Sequence, residues 1–231
     1  MEKNQFVGTS GFSYPEWKGV FYPEDLPSRK YLAFYASRFR TTEINNTFYR
    51  LPTTRLTEGW AGEVPDSFSF TLKLSRRITH QKKLRDVDEE MQTFLKAASA
   101  LKKKMGPILV QLPPFLKKDT PALQMFVQKY AGQAMLAFEF RHSSWFEEET
   151  YRLLGDSGSA LAVVEGESED LPPVREVTGR FLYMRLRKSE YAGSELQEWA
   201  KWIRAQKLPV YCYLKHEQKA PLLAQQLLDL L

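Results

Sequence analysis

The chain has 231 residues, 43% of them hydrophobic and 26% charged, and this ordinary globular balance excludes a wholly disordered protein. A chain of this length can bury a core without disulfides, and its single cysteine, Cys212, cannot form an internal one. The net charge of +5 permits a nucleic-acid partner without requiring one. No apolar stretch approaches the roughly 18 residues of a membrane span and no apolar leader precedes the first strand, so we expect a cytoplasmic protein with no membrane partner.

Short apolar runs typical of strands alternate along the chain with longer amphipathic stretches typical of helices. The predicted strands are Gln5–Thr9, Thr41–Ile44, Ser69–Lys73, Ile108–Gln111, Met135–Glu139, Ala160–Val164, Phe181–Met184 and Val210–Tyr213. The predicted helices are Ser28–Phe39, Thr53–Ala61, Val87–Lys104, Thr120–Tyr130, Glu147–Gly155, Ser194–Gln206 and Lys219–Leu230. Ser28 and Thr53 are suitable N-caps for the helices that they precede or open.

Strands that alternate with helices pair in parallel through right-handed crossovers. A closed (β/α)8 TIM-type barrel is the economical α/β arrangement for eight such units, and an open doubly wound sheet is the alternative. No G-x-G-x-x-G turn follows the first strand, which weakens the open version. The connection between the sixth and seventh strands, Gly166–Gly179, lacks a helical period, so we predict an irregular loop there. With no linker or repeat evident, residues 1–231 are predicted to form one domain.

Ligands of a parallel barrel bind where the strands end and the following loops begin. The side chains at these positions are Ser10, Glu43, Asn45, Lys73, Gln111, Glu139, Arg141, His142, Glu165, Arg185, Lys215 and His216. Such a set of long polar groups at one mouth predicts a binding site there. Glu43 and Glu139 could each act as a general base or a hydrogen-bonding anchor. Glu139 could instead be a buried carboxylate that pairs with Arg141 or Lys73.

Basic and aromatic side chains concentrate in the loops on the same face. The basic rim residues are Arg76, Arg77, Lys82, Lys83 and Lys188. Together they indicate an anionic partner, either a phosphorylated small molecule or a nucleic-acid backbone. Tyr14, Tyr49 and Trp145 could stack on a sugar or a base, whereas Trp17 and Phe21 are expected in a hydrophobic lid over the mouth.

The three histidines, His80, His142 and His216, lie on separate loops without the spacing of a metal-binding motif. We therefore predict no cofactor and no metal site. A divalent metal held by histidine and glutamate side chains from different strands is the alternative.

Five stretches of the sequence resemble motifs of the YecE-like family, known as domain of unknown function 72. They are GTSGFSYPEWKGVFYP at Gly8–Pro23, TEINNTFYRLP at Thr42–Pro52, FSFTLKLSRRITH at Phe68–His80, LVQLPPF at Leu109–Phe115 and FEFRHSSWF at Phe138–Phe146. The resemblance implies a TIM-type barrel with a polar pocket at the C-terminal strand ends, and it implies no established activity. The motif residues that it places in this pocket are Glu43, Asn45, Tyr49, Lys73, His80, Gln111, Glu139, Arg141, His142 and Trp145.

The C-terminal third departs from this family pattern. Arg187 and Lys188 stand where relatives carry a His-Gly pair, and LKHEQ at Leu214–Gln218 replaces an Asn-rich phrase. These changes put any ligand contact from the last two strands in doubt. They could alter specificity, add positive charge to the rim, or remove an activity.

Three functions remain open from the sequence, and so does the oligomeric state. The first is an enzyme, a hydrolase or isomerase, that acts on a phosphorylated or sugar-containing ligand. In it, Glu43 or Glu139 would be the base, and Lys73 with Arg141 would stabilise negative charge. The second is a nucleic-acid-binding protein or endonuclease-like barrel that uses the basic rim. The third is a non-catalytic sensor or scaffold that retains the pocket.

Overall fold

In the computed structural model, which describes residues 4–166, 173–215 and 218–231, eight parallel strands close into a barrel. The strands are β1 (Gln5–Ser10), β2 (Thr41–Ile44), β3 (Ser69–Lys73), β4 (Met105–Gln111), β5 (Leu136–Glu139), β6 (Ala160–Glu165), β7 (Leu182–Leu186) and β8 (Val210–Leu214). Each strand pairs with the next in chain order, and β8 returns to β1 in register from Gln5↔Val210 to Thr9↔Leu214. The TIM-type α/β barrel predicted from the sequence is confirmed, and the open sheet is wrong.

Helices cover the outside of the barrel. They are α1 (Tyr31–Ala36), α2 (Asn46–Tyr49), α3 (Thr54–Glu63), α4 (Asp88–Ser99), α5 (Thr120–Tyr130), α6 (Glu148–Ser157), α7 (Gly193–Ala205) and α8 (Ala220–Asp229). In the described ranges, none of them is long and apolar enough to cross a bilayer. The short helix α2 follows β2 directly and is absent from the sequence prediction.

The structure confirms one predicted N-cap and corrects the boundaries of two predicted helices. The Thr53 hydroxyl accepts a hydrogen bond from the Leu56 amide at 3.3 Å, which confirms this N-cap. Ser28 caps nothing, because it lies within a short 3-10 turn that follows Pro27 and precedes α1. The predicted helix Val87–Lys104 ends early, because Lys102 takes a positive φ of 54° that an α-helix cannot accommodate.

The barrel has an apolar layer on each side of its strands, because successive side chains of a strand point to opposite faces. Inside the barrel, Leu109, Ala137 and Ala162 pack with the rings of Tyr183 and Tyr213. The Tyr213 hydroxyl lies 2.8 Å from the Thr41 hydroxyl and 2.6 Å from the Thr71 hydroxyl, so the centre is filled. This layer forms the floor of the barrel mouth.

Cys212 lies on β8 in the outer core, between the strands and the helices, and is fully buried. Burial raises the pKa of its thiol. Cys212 is therefore a small buried residue of the apolar core.

The connection after β3, on the mouth side, is irregular. A π-helical turn covers Arg77–Gln81, and Lys83, Leu84 and Asp86 all adopt positive φ. Each such non-glycine residue costs roughly 1 kcal/mol or more of backbone strain. In the predicted loop between β6 and β7, residues 173–178 form no helix or strand, and residues 167–172 lie outside the described residues.

Candidate functional site

The centre of the barrel mouth is a buried ion triad that joins three strands. Arg185 of β7 donates from Nη2 to Glu43 Oε1 on β2 at 2.8 Å and from Nη1 to Glu139 Oε2 on β5 at 2.5 Å. The three side chains are only 3%, 0% and 1% exposed, respectively. Residues that are far apart in sequence meet here because the inward positions at the ends of the strands share one level of the barrel.

Neutral donors complete the environment of Glu43. The Ser10 hydroxyl donates to Oε1 and the Tyr183 hydroxyl to Oε2, each at 2.5 Å, while Asn45 Nδ2 lies 3.3 Å from Oε1. Burial opposes ionisation of Glu43, but the Arg185 guanidinium and these hydroxyl groups outweigh it and lower the carboxyl pKa.

Glu139 is held mainly by charged donors. Its Oε1 accepts from Gln111 Nε2 at 2.6 Å and Arg141 Nε at 2.9 Å, and Arg187 Nη1 lies 3.5 Å away. Burial again opposes ionisation, yet the three guanidinium groups hold the pKa of Glu139 well below its usual range. The expected pairing with Arg141 is present, and no ion pair with Lys73 occurs among the described residues.

These contacts disfavour Glu43 and Glu139 as general bases and favour the alternative role of hydrogen-bonding anchors. Each oxygen already accepts at least one hydrogen bond, each pKa is lowered, and neither group reaches solvent. Arg185 is also unsuited to direct ligand binding, because its two terminal nitrogens are committed to the triad. The expected ligand-binding Gln111 is likewise 4% exposed and bound to Glu139.

Four further cations lie at the mouth around the triad: Lys73, Arg141, Arg187 and Lys215, which we name the cation ring. Burial lowers the pKa of Arg187, and Arg185 and Arg141 lower it further against the opposing charge of Glu139. Partial desolvation, Arg187 and Arg185 lower the pKa of Lys215. Ring members therefore repel one another.

Lys73 differs from the other cations in its contacts. Its Nζ lies 4.2 Å from the centroid of the Phe48 ring and has no hydrogen-bond or ion-pair partner among the described residues. The His80 ring contacts the same Phe48 ring in a T-shaped arrangement, with the centroids 5.0 Å apart. Burial, Lys73 and Arg141 lower the pKa of His80.

The three aromatic candidates have different surroundings. Trp145 is 1% exposed, stacks on Phe140 at 4.5 Å and donates from Nε1 to the Leu116 carbonyl at 2.8 Å, so neither face of its ring is open to a ligand. This corrects its expected stacking role. Tyr14 is half-buried, and its hydroxyl donates to the Ser10 carbonyl at 2.7 Å. Tyr49 is 70% exposed and remains open for stacking.

Of the remaining candidates, Asn45 lies at the mouth, where it donates to the Ser10 hydroxyl at 2.9 Å. His142 Nδ1 accepts from the Ser144 amide at 3.2 Å, which directs this ring to the start of a short 3-10 turn. His216 lies outside the described residues. Among the described residues, no group of three or more histidine, cysteine, aspartate or glutamate side chains could hold a metal ion.

The predicted basic rim is mostly neutralised within the chain. Arg77 and Lys82 both pair with Glu90 of α4, at 2.7 and 2.8 Å. Lys188 lies 2.7 Å from Glu195 and 3.2 Å from Glu165. Arg76 and Lys83 are exposed and have no ion-pair partner in the described part of the chain.

Sequence reasoning missed Tyr183 as a site residue. Tyr183 lies two residues before Arg185 on β7, and this spacing puts both side chains on the inward face. The alternation of inward and outward side chains along a strand is therefore the sequence signal that identifies Tyr183. Ser10 and Lys215 are among the strand-end residues predicted at the mouth, but neither has an individual role in the prediction. Arg187 appears in the prediction only as a departure from the family pattern.

Comparison with known proteins identifies the family. The profile described as "Protein of unknown function DUF72" matches residues 6–231. The UPF0759 protein YecE of Escherichia coli (strain K12) is 31% identical over 152 residues, which cover 63% of this chain and 53% of YecE. The UPF0759 protein YunF of Bacillus subtilis (strain 168) is 30% identical over 154 residues, which cover 63% and 54%. The chain spans about half the length of these curated relatives.

A solved structure extends the similarity over nearly the whole barrel. A DUF72 family protein from Thermotoga maritima superposes with a TM-score of 0.83 at 29% identity, covering 97% of this chain and 98% of the other. The resemblance seen in the motifs is thus confirmed by profile, relatives and fold. This chain belongs to the DUF72 family of TIM-type barrels, whose description assigns no activity.

Proposed function

We propose that the barrel mouth binds a small anionic, phosphate-bearing molecule through the cation ring. The observation that carries this proposal is the charge of the mouth. The triad and the ring together hold five cationic side chains and two carboxylates, an excess of three positive charges at one opening.

The arrangement within the mouth supports an anion rather than a neutral ligand. Both carboxylates are buried and bonded to Arg185, whereas Arg141 and Arg187 are 37% and 25% exposed, so the accessible part of the mouth carries the positive charge. Repulsion by Arg185 and Arg141 disfavours the charged form of Arg187, and repulsion by Arg187 and Arg185 disfavours that of Lys215. An anion bound between them would relieve this repulsion and make charge-assisted hydrogen bonds.

Titration calorimetry with inorganic phosphate and with pyrophosphate tests the proposal. Replacing Arg187→Ala together with Lys215→Ala removes two ring charges and leaves the triad intact. Because hydrogen bonds to charged groups contribute about 1.5–3 kcal/mol each, we expect affinity for pyrophosphate to fall at least about tenfold.

The matched control replaces Lys96→Ala together with Lys207→Ala, two exposed lysines at the opposite end of the barrel. This variant has the same net charge as the ring variant and should bind pyrophosphate like the unmodified protein. Equal losses in both variants would show only a non-specific charge effect. The absence of any binding to the unmodified protein at low salt would also overturn the proposal.

A second candidate function is the binding of single-stranded nucleic acid at the rim. The observations that favour it are two exposed rings, Tyr49 at 70% and Phe115 at 65%, and the Lys83 ammonium group, which lies 5.9 Å from the centroid of the Phe115 ring. Exposed rings beside cations suit the stacking of bases along a phosphate backbone. Retention of an oligonucleotide that weakens steeply with salt supports this candidate, and a flat salt response removes it.

Turnover separates an enzyme from a sensor or scaffold. Each phosphorylated compound that binds is incubated with the protein and examined for hydrolysis or isomerisation, the two reaction classes expected from the sequence. A ligand that binds and returns unchanged identifies the mouth as a binding site only.

A further inference from the structure

Lys73 has the placement of a reactive amine. It ends β3 on the inward face, two residues after Thr71, whose hydroxyl contacts Tyr213 inside the barrel. The side chain therefore rises from the floor of the barrel into the mouth. Its Nζ contacts the face of Phe48 and has no hydrogen-bond or ion-pair partner among the described residues.

Two other lysines of the same face lie in a different setting, whereas Lys215 resembles Lys73 in having a lowered pKa and no ion pair among the described residues. Lys118 pairs with two glutamates, and Lys188 pairs with Glu165 and Glu195. An ion-paired ammonium keeps its proton and is a poor nucleophile. Lys73 has no such ion pair among the described residues, and it lies near the cations Arg185 and Arg141.

The electrostatic setting increases the neutral fraction of the Lys73 amine. Burial and the Arg185 guanidinium lower the pKa of Lys73 to about 8, against the opposing charges of Glu43 and Glu139. Near pH 7.5 about a quarter of such amines are neutral, compared with about one in a thousand for an ordinary lysine. A deprotonated amine beside an aromatic ring and fixed cations is a typical imine-forming nucleophile.

We propose that Lys73 forms an imine with an aldehyde or ketone that carries a phosphate group, held by the cation ring. This proposal rests on the proposed function, because the ring would bind the phosphate and bring the carbonyl carbon to Nζ. It adds a substrate class, the phosphorylated carbonyl compound, and a covalent step that anion binding alone does not require.

Imine formation requires no reactant other than the Lys73 amine and the carbonyl compound. The lone pair of neutral Nζ attacks the carbonyl carbon, and the electron pair of the C=O bond moves to oxygen, which takes a proton. The product of this addition is a carbinolamine. Its C–O bond then breaks, the oxygen leaves as water, and the nitrogen gives up the two protons that this water carries. The product is an imine and one water molecule, with no oxidation or reduction.

His80 is suited to carry these protons. Its ring contacts Phe48 on which Lys73 lies, and its lowered pKa keeps it neutral near pH 7. Nδ1 lies 2.9 Å from the Thr79 hydroxyl, and Nε2 has no hydrogen-bond partner among the described residues.

Reductive trapping tests the imine directly. The protein is incubated with pyridoxal 5′-phosphate, a phosphorylated aldehyde, in the presence of cyanoborohydride, and the modified lysines are located by peptide mass spectrometry. We expect Lys73 to be labelled at least about tenfold faster than any other lysine, with a rate that rises as the pH increases through about 8. Pyridoxal without the phosphate should label Lys73 much more slowly, and pyrophosphate should protect it.

Two variants keep the test interpretable. Lys73→Met removes the amine, and Lys73→Arg retains the charge without an amine that forms imines; both should lose the fast adduct. Reversible binding of the aldehyde without reductant is measured in parallel by equilibrium dialysis. If the unmodified protein binds the aldehyde but labels Lys73 no faster than exposed lysines, the imine proposal is wrong and the anion site stands. If it does not bind at all, the proposed function is wrong as well.

Discussion

Replacement of Arg185 by methionine tests whether the ion triad holds the mouth together. Arg185→Met preserves most of the side-chain volume but leaves Glu43 and Glu139, at 0% and 1% exposure, without the guanidinium that joins them. Removing one partner of a buried ion pair costs about 3–5 kcal/mol, because a buried charge is left uncompensated. Glu139 retains Arg141 while Glu43 retains only neutral donors, so we expect a loss within this range.

The assay is urea unfolding followed by circular dichroism, with Arg185→Met compared with a triple variant that adds Glu43→Gln and Glu139→Gln. The glutamines remove the stranded charges, so the triple variant should recover most of the lost stability. In the unmodified protein both carboxyl pKa values are lowered, so their stabilising effect is present above about pH 4.3 and is lost as the pH falls. In Arg185→Met, burial of the Glu43 carboxyl is no longer offset, so the stability difference should be largest near pH 7 and shrink toward pH 4.

Two results would refute this reasoning. A loss below about 1 kcal/mol at neutral pH would mean that the carboxylates are solvated or repartnered without Arg185. A triple variant no more stable than the single one would mean that the methionine itself disrupts packing, and that stranded charge is not the cause.

Three further predictions concern single sites. Thr53→Ala should lower the free energy of unfolding by about 1 kcal/mol in urea titrations through loss of the α3 cap, and no change would mean that this cap is redundant. Trp145→Ala should cost about 3–5 kcal/mol by the same measurement, whereas a loss within 1 kcal/mol would mean that the ring is not core. Lys73→Met should stabilise the protein near pH 7, because the lowered pKa of Lys73 shows that the folded mouth disfavours the ammonium ion. This gain should fade as the pH rises toward 10, and a pH-independent effect would contradict the assignment.

The barrel and its functional end were predictable because both depend on local patterns. Every strand boundary lies within three residues of the prediction, and the inward side chains follow from the period of two. The triad was not predictable. Glu43 and Arg185 are 142 positions apart, and their pairing depends on the stagger of strands around a closed barrel, which no short window of sequence contains.

Two residue types misled the prediction for particular reasons. Trp145 follows a strand end, where an aromatic ring can face a ligand or the core, and sequence does not distinguish the two orientations. Arg77 and Lys82 lie in a loop that is basic when read alone. Their partner Glu90 belongs to the following helix, so the neutralisation appears only once α4 is folded against that loop.

The burial of Cys212 provides a reporter for opening of the barrel. A thiol reagent can reach this one sulfur only when β8 separates from the helices that cover it, and a raised thiol pKa suppresses reaction in the closed state. Labelling of Cys212 therefore counts molecules that have opened, without a mutation or an attached probe. If a ligand at the mouth stabilises the closed barrel, labelling of Cys212 should slow as the occupancy of the mouth increases. Compounds of unknown affinity can then be ranked by how strongly they protect the Cys212 sulfur, which lies on the outer side of the sheet.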